Sequence, residues 1–547
     1  MAARHGGGLR VVAEPAASGA GHAYVVHGDW GPVDPGTAAF DPDAGVVRIA
    51  DPEAGGAIRA IRAVPFERLF PETGTPRLPD LDALRALGEA LTFRDHDDAA
   101  DRETDIPAAY TYFSQFVFHD ITHWKPPRGT GPQAGLRDAA LDLDSVLGFE
   151  PAERPDGAGP LPLGLTARDP TGCAFAADLP RSPCGAALVP DGRNDDNLAL
   201  AQVHVAMIAF VNAVRQAVGP SGGAAALAAL HLQSVVLTDS LPRLVDPDVL
   251  EDVTENGRAI VWPDGRASGL PFHVPLEFVA ACGRFGHAMV KYRYDWNAHH
   301  PGAGAPAFWE STHASTDYPM RMLDWSWVTD WSRLLPAEGE TAAGHGPGGR
   351  WPLRAAALSS RLAEPLRRMP DAALPPPGPG QAPLSANLAT RSLERAHALR
   401  IASGQAAVRR MNERLAALGR PTVPLLCRDD ILAGEGEAAR ALLVAEGPGG
   451  ARLCDETPMW LYGLKEAEAQ QGGRRLGAFT SRIVAETLHA AIAAASPSIL
   501  ARDGGRPEIA WRPDPRLRPG RPDRYGLRDL VAFAGLLEPL MAAEAIA

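Results

Sequence analysis

Apolar positions recur at helical spacing through most of the chain. In YTYFSQFVFHDITHW, Tyr110 to Trp124, the residues Tyr110, Tyr112, Phe113, Phe116, Val117, Ile121 and Trp124 fall on one side of a helix. Gln115, His119, Thr122 and His123 fall on the other. Asp120 projects into the middle of the apolar side, where a bare charge is costly. PDLDALRALGEAL predicts an earlier helix, with Asp80 or Asp82 near its start. Longer amphipathic patterns predict helices over NLALAQVHVAMIAFVNAVRQAV, PLEFVAACGRFGHAMVKY, ANLATRSLERAHALR, SGQAAVRRMNERLAAL and LGAFTSRIVAETLHAAIAAA. Strand-like alternation is short, as in HAYVVHG and GVVRIA, and Pro/Gly-rich connectors such as KPPRGTGPQAG and MPDAALPPPGPGQAP separate the helical runs. The pattern predicts a mainly α protein: an N-terminal arm or cap over residues 1–65, partly irregular, then one large helical domain over 66–547 with long loops and little β-structure.

Composition narrows the function more than the fold. The chain has 547 residues, 45% of them hydrophobic and 22% charged, enough to bury a large core. A net charge of −13, with no dense basic run, argues against nucleic acid and acidic membrane surfaces as partners. Five scattered cysteines with no C-x-x-C pair argue against a disulfide framework and a cysteine zinc site. The start, MAARHGGGLRVV, carries no signal-peptide stretch, and no window reads as the roughly 18 apolar residues that span a bilayer. A cytoplasmic protein is the expectation, with export by a route lacking a recognisable signal left open.

Four stretches carry candidate chemistry. Gln115 and His119, four apart, stack on one helix face. His119 and His123 give HDITH, near the H-E-x-x-H zinc pattern but with an aspartate one methylene short of the general base. In RNDDNLALAQVH, Asp195 and Asp196 suit a helix N-terminus, which leaves Arg193 unexplained. In AACGRFGHAMV, small residues crowd around His287, and Gly283 and Gly286 inside a helix would each cost about 1 kcal/mol relative to alanine. Either tight helix packing or the close approach of something flat would account for them. In RDAALDLDSVLG, Asp138, Asp142 and Asp144 recur at even spacing, as a solvated turn or a calcium site of carboxylates and carbonyls would.

Taken together these stretches resemble the animal-type haem peroxidases, the peroxidase–cyclooxygenase superfamily, and its bacterial branch in particular. The resemblance runs from about Arg68 to the C-terminus through PFERLFP, IPAAYTYFSQFVFHDIT, DGRNDDNLALAQVHVAMIAFVN, VPLEFVAACGRFGHAMV, NLATRSLERAHALRIASGQ and TPMWLYGLKEAEAQQGGRRLGAFTSRIVAE, in the family's order. It implies that His119 is the distal base, Gln115 the glutamine that holds distal water or halide, and Arg193 the distal arginine. His287 would be the haem-iron ligand, with Arg284 and Arg395 near the propionates and the proximal side. It also implies one Ca²⁺ held by Asp120, Asp138, the carbonyl of Ala140, Asp142 and Asp144, which would give the misplaced Asp120 charge a cation.

The sequence departs from the family at three positions. Phe118 stands where many relatives carry an aspartate ester-linked to haem, and phenylalanine cannot make that bond. Asp196 occupies the place of the second ester-forming acid, usually a longer glutamate. Ser392 stands where an asparagine usually bonds the proximal histidine. The resemblance therefore implies haem b, non-covalent rather than singly linked through Asp196, with shifted potential and weak halide oxidation. The activity implied is a peroxidase that uses hydrogen peroxide to oxidise a small organic donor through a high-valent oxo-iron intermediate. Alternatives are a non-catalytic haem-binding or sensor protein, favoured by Phe118 and Ser392, and a fatty-acid dioxygenase of the same fold. The dioxygenases place a radical tyrosine three residues before the proximal histidine, where this chain has Arg284. A zinc hydrolase on His119 and His123 is the outsider. The N-terminal arm either caps the active site or pairs two chains into a homodimer.

Overall fold

The computed structural model describes residues 64–71, 79–94, 103–122, 139–148, 159–219, 223–268, 271–305, 322–337, 354–369, 385–500 and 511–538, with the backbone of the strands before residue 63. It is mostly helical with little sheet, as the periodicity predicts. The arm region holds six strands: β1 (Leu9–Ala13), β2 (His22–His27), β3 (Ala39–Asp41), β4 (Val46–Asp51), β5 (Ala57–Arg62) and β6 (Val64–Glu67). They form two antiparallel three-stranded sheets, ordered β1-β2-β6 and β3-β4-β5. The strand β6 straddles the boundary drawn at residue 65, and Phe66 on it joins the main core.

Helix α1 (Leu81–Ala90) starts at Asp80, whose carboxylate accepts from the Ala83 amide at 3.1 Å. Then come α2 (Ala109–Thr122), the one-turn α3 (Asp144–Leu147) and the long α4 (Leu198–Val218). Helix α5 (Ala224–Ser234) runs through a π-helical turn, Val235–Ser240, into α6 (Leu241–Leu244), followed by α7 (Pro247–Asn256). Helix α4 and the Ala224–Leu244 run are long and apolar enough to cross a membrane, which corrects the expectation that no stretch is. In both, most of the apolar window is buried inside the fold, 78% and 67%. That is how a core helix of a large protein reads.

The predicted helix over PLEFVAACGRFGHAMVKY is broken. It splits into α8 (Leu276–Ala280), a 3₁₀ turn at Cys282–Arg284 and α9 (Gly286–Met289), with Ala281 at φ −135° and ψ −74° between them. The two glycines thus carry no mid-helix penalty, because no continuous helix exists there. Farther on are α10 (Leu388–Ala398), α11 (Ala478–Ala494) and α12 (Leu527–Phe533). Helix α10 lies against α1 at Gly88, where a Cβ would sit 2.4 Å from Thr390 Oγ1. Asn387 seals the contact by capping α10 and donating to the Gly88 carbonyl at 3.1 Å.

Long-range polar contacts fix the segments around α2. The Tyr110 hydroxyl donates to Asp239 at 2.5 Å, and the same carboxylate oxygen accepts from the Leu527 amide at 2.8 Å. The buried Glu277 carboxylate on α8 accepts from the amides of Leu69 and Phe70 at 3.1 and 3.0 Å. Arg68 donates to the carbonyls of Leu399 and Arg400, both at 3.0 Å. PFERLFP therefore ties α8 to the end of α10.

Buried titratable groups set how stability depends on pH. Burial pushes His204 and His231 down to about 4 and His489 to about 3. Burial also pushes Glu67 up to about 8 and Glu466 to about 7. Below pH 6.5 the unfolded chain takes up protons that the folded histidines refuse, so stability falls as pH drops toward 4. Above pH 4.5 the folded chain keeps protons on the two glutamic acids that the unfolded chain has lost, so stability falls as pH rises toward 8. Between these limits three histidines outweigh two acids. The melting temperature, followed by circular dichroism across that range, is expected to peak near pH 6.5; a monotonic rise toward pH 8 would contradict the burial of Glu67.

Candidate functional site

The sequence folds α2 with its apolar side in the core: Phe113, Phe116 and Ile121 have no exposure, and Asp120 none either. The Asp120 carboxylate is met on both oxygens. Oδ1 accepts from the Ser145 amide at 3.0 Å and its hydroxyl at 2.5 Å, and Oδ2 accepts from the Leu143 amide at 3.1 Å. The loop that supplies these donors also brings in Asp142 and Asp144, so that one ligand oxygen from each of Asp120, Asp142 and Asp144 lies within 4.8 Å of the others. Leu143 takes φ +66° to make this turn. Three carboxylates this close in a largely buried corner repel one another, and a hard divalent cation is the group that would compensate them. Ala140 is buried beside them. Asp138 and His123 lie outside the described residues.

The opposite side of α2 presents His119 to a short 3₁₀ turn, Gly192–Asp195, that precedes α4. Asp191 caps this turn and grips Arg193 with both oxygens, Nη2 to Oδ2 at 2.6 Å and Nε to Oδ1 at 3.0 Å. Burial opposes the Arg193 charge, but Asp191, with Asp196 and Asp144, more than offsets it, so its pKa lies above the ordinary arginine value. Arg193 Nη2 donates to the His119 carbonyl at 2.9 Å, so the arginine and histidine expected to work together are joined. Asn194 lies between His119 and His204, its Oδ1 2.9 Å from His119 Nδ1 and its Nδ2 2.9 Å from His204 Nδ1. Gln115 Oε1 accepts from Asn197 at 3.4 Å. Neither Asp195 nor Asp196 caps α4; Asn197 does, accepting from the Leu200 amide at 2.9 Å. Asp195 instead pairs with Arg181 at 2.7 Å.

Facing α2 is the broken segment with His287. Phe118 packs edge-on against Phe278 and Phe285, ring centroids 4.9 and 5.7 Å away. Gly283 is required by Phe278, whose carbonyl would stand 2.8 Å from a Cβ there. At Gly286 a Cβ would meet nothing within 4 Å, so open space adjoins the residue before His287. Gln115, Phe118, Arg193, Asp196, Arg284, Gly286, His287 and Arg395 all keep partial exposure among buried neighbours.

The surroundings of Arg284 are cationic. Burial brings Arg284 down to about 9, and its further depressants are Arg391 and Arg193. Arg395 lies well below the ordinary arginine range, from burial first, then Arg284 and Arg391. Burial lowers Arg391 too, while Asp196 and Glu394 favour its charge. Asp196 therefore acts on both Arg391 and Arg193. The Ser392 hydroxyl donates to the Leu388 carbonyl at 2.9 Å within α10, which leaves its lone pairs to accept from a neighbour.

Sequence reasoning missed Asp191, Asn194, His204 and Arg391. The first two lie in DGRNDDN, read only for its arginine and acids; His204 looked like one more position on an apolar helix. Arg391 adjoins Ser392 and gave no signal of its own.

No protein-family model matches the chain. No curated protein matches it either. Among solved structures it is similar to peroxidase A from Dictyostelium discoideum, at 14% identity and TM-score 0.49 over 78% of this chain and 87% of that one. It is also similar to fatty acid alpha-dioxygenase from Oryza sativa, at 12% identity and TM-score 0.47 over 78% and 76%. A tyrosine-to-phenylalanine form of that enzyme with palmitic acid gives 12% and 0.46 over 78% and 75%. These are distant likenesses of shape, and the functional reading rests on the side chains.

Proposed function

We propose that this protein is a haem peroxidase that uses hydrogen peroxide to oxidise a small organic donor. The observation that carries the reading is that His119 is joined to Arg193, that Arg193 lies close to the cluster of Arg284, Arg391 and Arg395, and that α2 packs through Phe118 on the segment with His287. Arginines crowded together in a buried place need anions, and a flat dicarboxylate ligand supplies two. The open space at Gly286 suits the approach of such a ligand beside His287. These residues fit haem b: His287 as the iron ligand, and Arg284, Arg391 and Arg395 on the propionates. Bound haem would supply the redox chemistry, with an open position for peroxide.

The chain's own residues would do the rest. His119 takes the proton from hydrogen peroxide on one oxygen and returns it to the other, so that water departs instead of hydroxide. Arg193, held by Asp191, presents positive charge to the departing oxygen. Gln115, oriented by Asn197, holds a water molecule beside His119. Phe118 offers no carboxylate for an ester, and Asp196 is engaged by arginines, which supports non-covalent haem. Asp120, Asp142 and Asp144 would hold Ca²⁺.

The test is an absorption spectrum of the purified chain supplied with haem, before and after one equivalent of hydrogen peroxide, then with a phenol. A Soret band that shifts with peroxide and returns with phenol is the expected result. His287→Ala should lose the band, and Arg395→Ala should weaken haem retention. A band indifferent to peroxide would favour a binding or sensing role, and oxygen uptake with a long-chain fatty acid a dioxygenase. No band at all would overturn the proposal.

A further inference from the structure

We infer that Asn194 is a positioning residue that selects the ring tautomer of His119, and that His204 holds the Asn194 amide in the sense this requires. The consequence for turnover rests on the peroxidase reading; the hydrogen-bond arrangement does not.

Asn194 is fully buried, as is His204. A carboxamide accepts on its oxygen and donates from its nitrogen. With Oδ1 toward His119 Nδ1 and Nδ2 toward His204 Nδ1, both at 2.9 Å, hydrogen sits on Nδ1 of His119, while Nδ1 of His204 carries a lone pair. The nitrogen of His119 able to take a proton is then Nε2. Reversing the amide would require both histidines to move their ring hydrogen in the same event. The His204 ring is packed edge-on against Phe116 at 5.8 Å, with its Nδ1 turned to the Asn194 amide nitrogen. Burial holds it neutral at physiological pH, so one ring nitrogen is an acceptor, and the one that faces the Asn194 amide nitrogen is Nδ1.

The two senses of the amide are not equivalent for chemistry. In the reversed sense His119 would present an N–H at Nε2 and could not receive a proton there. In the observed sense a proton arriving at Nε2 leaves hydrogen on both nitrogens, and only the amide oxygen can face such a ring. That hydrogen bond becomes charge-assisted and shorter.

The test reads the tautomer directly, by ¹⁵N NMR of the histidine-labelled full chain without haem, the His119 signals assigned with His119→Gln. Wild type should carry hydrogen on His119 Nδ1, and so should Asn194→Asp, whose carboxylate still accepts from Nδ1. Asn194→Leu and His204→Phe should show a mixture of tautomers. Hydrogen on Nε2 in the wild type, or an unchanged tautomer in Asn194→Leu, would overturn the inference. With haem added, Asn194→Leu should slow the spectral response to peroxide roughly 10–100-fold, with the Soret band and the later reaction with phenol unchanged. Asn194→Asp should restore it to within several-fold. A merely structural asparagine, needed for its donation to His204, would not be rescued by aspartate, and that result also overturns the inference. A wild type with the stated tautomer but no response to peroxide would dismiss the peroxidase reading and leave the relay in place.

Discussion

Replacing His119 by leucine is expected to slow peroxide-dependent oxidation of a phenol by ~10²–10⁴-fold, the usual worth of a positioned acid–base group. The loss should appear in the reaction with peroxide, measured by stopped-flow at varied peroxide concentration, and not in the later reaction with the donor. Haem retention should be unchanged, because His119 lies on α2 and the proposed iron ligand His287 on the separate helix α9. Arg193→Leu should lose less of the proton transfer but weaken support for the departing oxygen, and the variant must also cope with an Asp191 carboxylate left without its guanidinium. A His119→Leu chain within threefold of wild type would mean that the base is elsewhere.

Asp120→Ala should be the most destabilising single change near the site. It removes the acceptor for the Leu143 amide and both donors of Ser145, all buried. Each stranded donor costs roughly 1–3 kcal/mol, so the sum is on the order of 3 kcal/mol or more. Chelation with EGTA should lower the melting temperature of the wild type and leave Asp120→Ala little changed, since the variant lacks a ligand. Calcium present at about 100 times its dissociation constant would account for roughly 2.7 kcal/mol. An unaltered wild-type melting temperature under EGTA would remove calcium from the account. Because His119 and Asp120 are adjacent, the same chelation should also slow the peroxide step.

The periodicity of α2 and α4 made those helices readable, since their apolar spacing is dictated by one buried face or by complete burial. The same logic failed at Ala281: apolar spacing continues through the break, and what disrupts the helix is the local backbone at Ala281. The N-terminal strands were visible only as short alternating runs, because two small sheets leave little pattern per strand. Among site residues, Gln115, His119, Arg193 and His287 announce themselves by type and spacing. Asn194 and His204 do not, because their importance comes from a partner 75 residues away in one case and ten in the other. Asp120 was legible as an anomaly, a charge on an apolar face, and the loop that answers it follows about 25 residues later.

Helix α2 is tethered early in the chain to groups that come late. Tyr110 meets Asp239, and that carboxylate is shared with the Leu527 amide. Arg68 reaches the carbonyls that end α10, 331 and 332 residues on. A ribosome must therefore release the chain past residue 527 before every contact that holds α2 can form. During synthesis His119 would wait on an unfinished scaffold, its apolar neighbours in want of cover. Loading of the proposed haem then belongs after translation, when the closing segments have docked, and a truncation before residue 527 should cost the nascent chain the settled position of this helix.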